Sequence, residues 1–211
     1  MPIARLNDLR LQLGRTPVLA GVDLSLEEGE RLGVAGPNGA GKTTLLAVLA
    51  TLKSPTGGAG EVLGAALGTN EVRAVRPRIG WSGHQPALYD ELTIGENLRH
   101  VARLAGVGVE SVAGVLEEIG LGGAMERRAA QSSNGMRRRV DLARLLLTRP
   151  QLVLLDEAQA GLDADAGIIV DEICRRAVAE GGAVVMVSHD AGLLTDRVDR
   201  VVRLVDGSLV G

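Results

Sequence analysis

The chain has 211 residues, of which 45% are hydrophobic and 23% charged, a composition typical of a folded globular protein rather than a disordered one. The net charge of −3 and the absence of phenylalanine argue against a nucleic-acid partner, and a single cysteine, Cys174, excludes an internal disulfide framework and a cysteine-based metal site. The apolar stretches are too short to span a membrane and no apolar signal segment opens the chain, so we expect a cytoplasmic protein.

The first third of the chain is predicted to form short strands around one helix. Apolar alternation or short apolar runs indicate the strands, three-to-four spacing indicates the helix, and a Gly/Pro/Ser cluster indicates a turn. In chain order, these elements are strands at 2–7, 18–26 and 31–35, a helix at 43–52, a turn at 54–60 and a strand at 78–82.

The rest of the chain is predicted to be helical first and then alternating. Helices are expected at 93–105, 109–119 and 133–147, followed by strands at 152–155, 183–187 and 201–204 and a helix at 164–180. Strands that alternate with helices predict an α/β fold with a parallel sheet covered on both faces. We therefore expect one domain, with a core of residues 1–83 and 150–211 and an inserted helical segment, 84–149.

The strongest motif lies between the predicted strand at 31–35 and the helix at 43–52. Residues 36–43 fit the phosphate-loop pattern G-x-x-x-x-G-K-[ST] at every fixed position. Lys42 would reach the β- and γ-phosphates of a nucleotide, and the Thr43 hydroxyl would hold Mg²⁺. The residues expected to bind nucleotide here are Gly36, Pro37, Asn38, Gly39, Ala40, Gly41, Lys42, Thr43 and Thr44.

A second motif is an apolar strand that ends in two carboxylates, Asp156 and Glu157. Asp156 is expected to bind Mg²⁺, directly or through water. Glu157 is then placed to act as a general base on the attacking water. This pattern is weak alone, but it becomes strong about 115 residues after a phosphate loop.

Two further segments indicate a family. Residues 132–139 (Ser-Ser-Asn-Gly-Met-Arg-Arg-Arg) open a helix, and residues 187–190 (Val-Ser-His-Asp) end a strand. Together with the two motifs above, they make essentially the whole chain resemble the nucleotide-binding subunit of ABC transporters. The resemblance implies a RecA-like P-loop NTPase core, an antiparallel N-terminal β-subdomain and an inserted helical subdomain. It also implies an ATPase that uses Mg²⁺.

The same resemblance assigns roles to several more residues. Ser133 and Gly135 keep two positions of the family signature Leu-Ser-Gly-Gly-Gln, whereas asparagine replaces the first glycine. They would face the γ-phosphate of ATP bound to a second copy in a head-to-tail dimer. His189 matches the histidine that contacts the γ-phosphate, and Asp163 matches the acidic residue of the loop that couples the two subunits.

The loop after the strand at 78–82 carries two candidates for the family's Mg²⁺-sensing glutamine. We take Gln85 as this nucleotide- and metal-contacting residue, with His84 as the alternative. Ahead of the phosphate loop, the family's adenine-stacking aromatic falls near Leu13, and no aromatic precedes Trp81. Adenine would pack on aliphatic carbon there, which predicts loose base selectivity.

The implied partners are a second copy of the subunit and integral membrane subunits at the cytoplasmic face of the membrane. Neither nucleic acid nor direct contact with cargo is expected, and the arginines at 137–139 are interpreted as typical of the signature helix. The Gly-His-Gln-Pro stretch at 83–86 resembles the haem-exporting ATPases of cytochrome c maturation. A drug, lipid or polysaccharide exporter is the alternative, and a non-transport ATPase is disfavoured because no long coiled coil separates residues 44 and 132.

Overall fold

The chain forms a four-stranded antiparallel sheet and a six-stranded, mostly parallel sheet in the computed structural model, which describes residues 2–157 and 164–210. The strands are β1 (Ala4–Leu13), β2 (Thr16–Leu26), β3 (Arg31–Ala35), β4 (Gly57–Val62), β5 (Ala65–Ala66), β6 (Ile79–Ser82), β7 (Leu152–Asp156), β8 (Ala183–Ser188), β9 (Arg200–Val205) and β10 (Ser208–Val210). The helices are α1 (Lys42–Leu49), α2 (Val72–Val75), α3 (Ile94–Ala105), α4 (Ser111–Glu118), α5 (Asn134–Thr148) and α6 (Ala164–Ala179).

The six-stranded sheet follows the order β10-β9-β3-β8-β7-β6. All its neighbours pair in parallel except β9 and β10, which form an antiparallel pair. The carboxyl ends of β3, β6, β7 and β8 therefore meet at one edge of the sheet, where open α/β folds bind their ligands. This confirms the predicted α/β class. The smaller sheet, in the order β2-β1-β4-β5, is the antiparallel N-terminal sheet that the resemblance implied.

The core lies on both faces of the parallel sheet, and β7 shows how it is divided. Val153 and Leu155 join one apolar cluster with residues of α3, α4, α5 and α6. Leu152 and Leu154 point the other way and join α1 and the antiparallel sheet. A strand buried on both faces reads as a continuous apolar run, which explains the pattern in the sequence. Cys174 is buried in the cluster that contains α6.

The predicted turn at 54–60 is wrong in its second half, because β4 begins at Gly57 and pairs antiparallel with β1. Glycine is needed there for close approach of the two strands. A Cβ on Gly58 would lie 2.1 Å from the carbonyl oxygen of Asp8, and one on Gly60 would lie 2.8 Å from Leu6 Cδ2. Glycine clusters usually mark turns, but they also occur where another backbone comes this close.

The helices between β6 and β7 agree with the predicted ones to within two residues at their starts and ends. Helix α3 begins with a capping box, in which the Thr93 hydroxyl accepts the Glu96 N–H and the Glu96 carboxylate accepts the Thr93 N–H. Helix α5 begins after Ser133, whose Oγ accepts the Met136 N–H at 3.2 Å. The division at residues 84 and 149 stays a prediction. Within the described ranges, no helix is both long and apolar enough to cross a bilayer.

Candidate active site

The phosphate loop connects the end of β3 to the start of α1, and its backbone permits only glycine at three positions. A Cβ on Gly36 would lie 2.2 Å from the carbonyl oxygen of Leu204. Gly39 and Gly41 have φ of +83° and +103°, and a Cβ on Gly41 would lie 2.9 Å from the Val18 carbonyl oxygen. No side chain caps α1. The N–H groups at this helix start are thus available for an anion.

Lys42 is nearly buried, with 7% of its surface exposed. Its Nζ donates hydrogen bonds to the carbonyl oxygens of Gly36 at 2.7 Å and Pro37 at 3.0 Å. The ammonium group is therefore held over the loop that precedes it. Phosphate oxygens make stronger, charge-assisted bonds than neutral carbonyls, so this ammonium can exchange its carbonyl partners for a phosphate.

Thr43 and Asp156 provide adjacent oxygen atoms at the base of the site, where the Thr43 side chain hydrogen-bonds to the Asp156 carboxylate. Burial raises the pKa of Asp156 above its usual value, although the Thr43 hydrogen bond and the charge on Lys42 oppose this shift. A hydroxyl and a carboxylate are ligands that Mg²⁺ accepts when phosphate oxygens and water complete its shell. Neither here nor elsewhere in residues 2–157 and 164–210 do three or more His, Cys, Asp and Glu side chains form a group that could hold a metal ion.

Glu157 follows β7 directly and adopts φ of +50°, an uncommon conformation for a residue with a side chain. Its N–H donates to the carbonyl oxygen of Val187 on β8 at 3.1 Å, which holds the backbone in this turn. Oε1 then lies 3.4 Å from Nδ1 of His189, the residue that follows β8. Local strain of this kind is often found at functional positions. At this separation the imidazole contacts the carboxylate directly and can orient it, and the Glu157 carboxylate can accept the proton of a water molecule.

The phosphate loop, Asp156 and Glu157 meet in an open cleft of about 330 Å³ at the carboxyl edge of the sheet. Val18, from β2, lies on one wall, and His84 lies on another. The cleft is lined by Val18, Asn38, Gly39, Gly41, Lys42, Thr43, Thr44, His84, Asp156 and Glu157.

The loop after β6 therefore places His84, rather than Gln85, on the wall of the cleft. The positive form of His84 would act on Asp156 electrostatically, in the direction that lowers the pKa of this carboxyl. The sequence left the two residues as alternatives because they are neighbours. The direction in which each side chain points depends on the loop conformation.

The other predicted residues within the described ranges do not line this cleft: Gly36, Pro37, Ala40, Gln85, Ser133, Gly135 and His189. Ser133 is exposed and Gly135 is partly exposed at the start of α5. Asp163 lies outside the described residues.

One residue that sequence reasoning missed is Asp141 on α5, which is completely buried and accepts a hydrogen bond from Ser82, the last residue of β6. The available signal was an acidic residue within the apolar stripe of a predicted helix, with arginines at 138 and 144 on either side. A charge in such a stripe requires buried partners.

Comparison with known proteins gives a family match that includes the phosphate loop, the start of α5 and both strand-end carboxylates. A family model described as "ABC transporter" matches residues 19–160. Over 190 residues, the chain is 35% identical to the cytochrome c biogenesis ATP-binding export protein CcmA of Cupriavidus pinatubonensis, covering 89% of this chain and 84% of that protein.

Two other relatives are at least as similar in identity. The lipoprotein-releasing system ATP-binding protein LolD of Anaeromyxobacter dehalogenans is 39% identical over 209 residues, covering 92% of this chain and 85% of that protein. The daunorubicin resistance ATP-binding protein DrrA3 of Streptomyces coeruleorubidus is 39% identical over 195 residues, covering 89% of this chain and 61% of that protein.

Solved structures agree with this match. An ATP-binding subunit of an ABC transporter superposes with a TM-score of 0.90 and 27% identity, covering 99% of this chain and 88% of that one. A dimeric ATP-binding cassette in a post-hydrolysis state, bound to ADP and Pi, superposes with a TM-score of 0.85 and 25% identity, covering 99% and 97% of the two chains.

Proposed function

The chain belongs to the ABC transporter family and is an ATP-hydrolysing enzyme, and we propose that it drives an exporter as one half of a head-to-tail pair of ATPase subunits. The observation that supports this proposal most is that the phosphate loop and both carboxylates line one cleft, while His189 contacts one of these carboxylates, Glu157. A phosphate loop alone would fit many nucleotide-binding proteins. The strand-end carboxylates and His189 add the groups that hydrolysis requires.

In the proposed mechanism, the phosphate-loop N–H groups bind the phosphate oxygens of ATP, and the Lys42 ammonium moves to them from the Gly36 and Pro37 carbonyls. Thr43 and Asp156 would hold Mg²⁺, which would supply positive charge to neutralise the phosphates. Glu157 takes the proton of the attacking water. His189 helps to hold that water beside Glu157, since its Nδ1 lies 3.4 Å from Oε1 of the carboxylate.

We propose that the site is completed by the partner subunit's Ser133 and Gly135. Two features support this arrangement. Both residues lie outside the cleft of their own chain, and a dimeric structure of an ATP-binding cassette superposes on the chain with a TM-score of 0.85. The hydroxyl and N–H groups at the start of α5 would then bind the γ-phosphate from the side opposite Lys42. ATP would close the pair, and hydrolysis would open it again.

The membrane partner is proposed to contact the helical segment and the loop that follows β6, since this loop places His84 on the cleft wall and is bonded to α5 of the helical segment. The subunit would therefore work at the cytoplasmic face of the membrane. His84, which lies on the cleft wall, is proposed as the residue of this loop that senses the bound metal and phosphate, in place of Gln85.

Haem export for cytochrome c maturation is the cargo assignment we propose to test first. The Gly-His-Gln-Pro stretch at 83–86 and the similarity to CcmA over 84% of that protein support it. A drug or lipoprotein exporter is the second candidate, because DrrA3 and LolD each reach 39% identity.

A deletion strain separates these cargoes. Cells that lack the gene should lose holo-cytochrome c in a haem stain but keep other haem proteins. A plasmid that carries the wild-type gene should restore the stain, and the matched Glu157→Gln plasmid should not. Full holo-cytochrome c in the deletion strain would exclude haem export, and new drug sensitivity in the same cells would favour the second candidate. If the purified wild-type chain with its membrane partner failed to hydrolyse ATP, the proposed mechanism itself would be wrong.

A further inference from the structure

A buried ionic cluster joins α5 to the loop that follows β6. Asp141, on α5, is completely buried, as is Ser82 at the end of β6. The Ser82 hydroxyl donates to Oδ2 of Asp141 at 2.6 Å, and the Ala87 N–H donates to Oδ1 at 2.9 Å. One carboxylate therefore holds both ends of the segment 83–87.

Two arginines of α5 complete the cluster. Arg144 donates to Oδ1 of Asp141 at 2.5 Å and to the carbonyl oxygen of Trp81 at 3.4 Å. Arg138 donates to the carbonyl oxygen of Gly83 at 2.5 Å and lies 3.7 Å from Oδ2 of Asp141. Burial lowers the pKa of the Arg138 guanidinium, and the Asp141 charge partly offsets this. The arginines thus fasten the backbone of β6 and the loop to the same helix.

The cluster lies between two functional positions. The segment it holds carries His84, which lies on the wall of the nucleotide cleft. The helix that holds it begins after Ser133, eight residues before Asp141, which is roughly 12 Å along an α-helix. Because α5 is one continuous helix and Asp141 bonds to the loop, a shift at the start of α5 would reach the loop through Asp141.

We propose that Asp141 is a positioning residue that holds the loop carrying His84 against α5. Ser133, at the start of α5, contacts the nucleotide of the partner subunit. Through Asp141, the cleft of the same chain then responds to that nucleotide. This inference rests on the function proposed above. A buried charge cluster often contributes less stability to the fold than apolar residues of the same volume would. Its bonds to backbone groups at both ends of a five-residue loop are instead suited to fixing the position of that loop.

The test begins with Asp141→Asn, which keeps the size of the side chain but removes its charge and one acceptor oxygen. We expect kcat for ATP hydrolysis to fall by about tenfold or more, since small misplacements of reacting groups have effects of this size. ATP binding to the phosphate loop should change by less than about threefold, because the variant leaves that loop intact. The matched control is Glu172→Gln on α6, whose carboxylate also accepts bonds from two arginines but does not contact the loop.

Trp81 gives a direct readout of the loop, because it is the only tryptophan in the chain and its carbonyl oxygen is bonded to Arg144. In a Glu157→Gln background, which slows turnover, ATP should change the Trp81 fluorescence. Adding Asp141→Asn should abolish that change, and adding Glu172→Gln should leave it. The readout is the change on adding ATP and not the resting fluorescence, because Trp81 is bonded to the cluster through Arg144 and its resting signal would shift with any local rearrangement.

The outcomes are decisive in either direction. A folded Asp141→Asn variant with wild-type kcat and fluorescence response would overturn the proposal, as would an equal loss of kcat in Glu172→Gln. If Asp141→Asn does not fold, Ser82→Ala decides, because it removes one hydroxyl from the cluster and should lower kcat at unchanged ATP affinity. The wild-type chain must hydrolyse ATP in the same assays. If it does not, the proposed function is refuted. If it does and Asp141→Asn is unaffected, only the inference about Asp141 is refuted.

Discussion

Glu157 and His189 offer the sharpest test of the hydrolytic mechanism, because Oε1 and Nδ1 are 3.4 Å apart and both would act on one water. The change to make is Glu157→Gln. It preserves the shape of the side chain and the backbone bond to Val187, so the turn at φ of +50° should persist. The variant loses the negative charge of the side chain and, with it, the ability to take a proton.

The expected loss in kcat is roughly 10²–10⁴, the usual contribution of a general base. This corresponds to roughly 2.7–5.4 kcal/mol in activation free energy, at 1.36 kcal/mol for each factor of ten. His189→Ala should also lower kcat, since the imidazole then no longer holds the water. If the two residues act as a unit, the double variant should be within about threefold of Glu157→Gln alone.

The turnover of the wild type, the two single variants and the double variant is measured as phosphate release under saturating Mg²⁺ and ATP. Equilibrium ATP binding provides the control for each protein. Affinity for ATP should stay near the wild-type value in Glu157→Gln. A turnover within about threefold of wild type in this variant would remove Glu157 from the role of general base, since that role is worth at least about a hundredfold. Multiplicative losses in the double variant would show that His189 and Glu157 act in separate steps.

Three further predictions concern binding, base selectivity and stability. Lys42→Ala should weaken ATP binding by about ten- to hundredfold in calorimetry, because charge-assisted hydrogen bonds are worth about 1.5–3 kcal/mol. An unchanged affinity for ATP would contradict the phosphate-loop assignment. GTP should be hydrolysed with a kcat/KM within about tenfold of that for ATP, because an aromatic contact adds about 0.5–1.5 kcal/mol and no aromatic residue precedes Trp81. A hundredfold preference for ATP would refute aliphatic base packing at Leu13. Thr93→Ala should lower the free energy of unfolding by about 1 kcal/mol in urea, through loss of the α3 cap, and an unchanged midpoint would show that the cap adds nothing.

The sequence predicted the parts of the fold that depend on local pattern. Buried parallel strands appear as apolar runs, so β3, β7 and β8 were found within one residue of their ends. Helix α5 was found as readily, because Ser133 is a typical N-cap before an apolar period. The phosphate loop and the two strand-end carboxylates are contiguous motifs, and their meeting at one edge follows from the parallel sheet.

The sequence was less informative wherever a residue's role depends on distant contacts. Strand β4 lies in a glycine-rich stretch, and only its contact with β1 distinguishes it from a turn. The choice between His84 and Gln85 depends on the direction of one loop. Asp141 acts through Ser82, which is 59 residues away in the chain, and such long-range pairs leave no trace in local periodicity.

Sedimentation of the Glu157→Gln protein with and without ATP tests the central claim, a nucleotide site shared by two copies, most directly. We predict a monomer without nucleotide and a dimer with ATP, because this variant should bind ATP without hydrolysing it. Adding Ser133→Arg should keep ATP binding but abolish the dimer, since the arginine would stand where the partner's γ-phosphate is bound. An ATP-induced dimer that survives Ser133→Arg, or a mass that does not depend on ATP, would contradict the account.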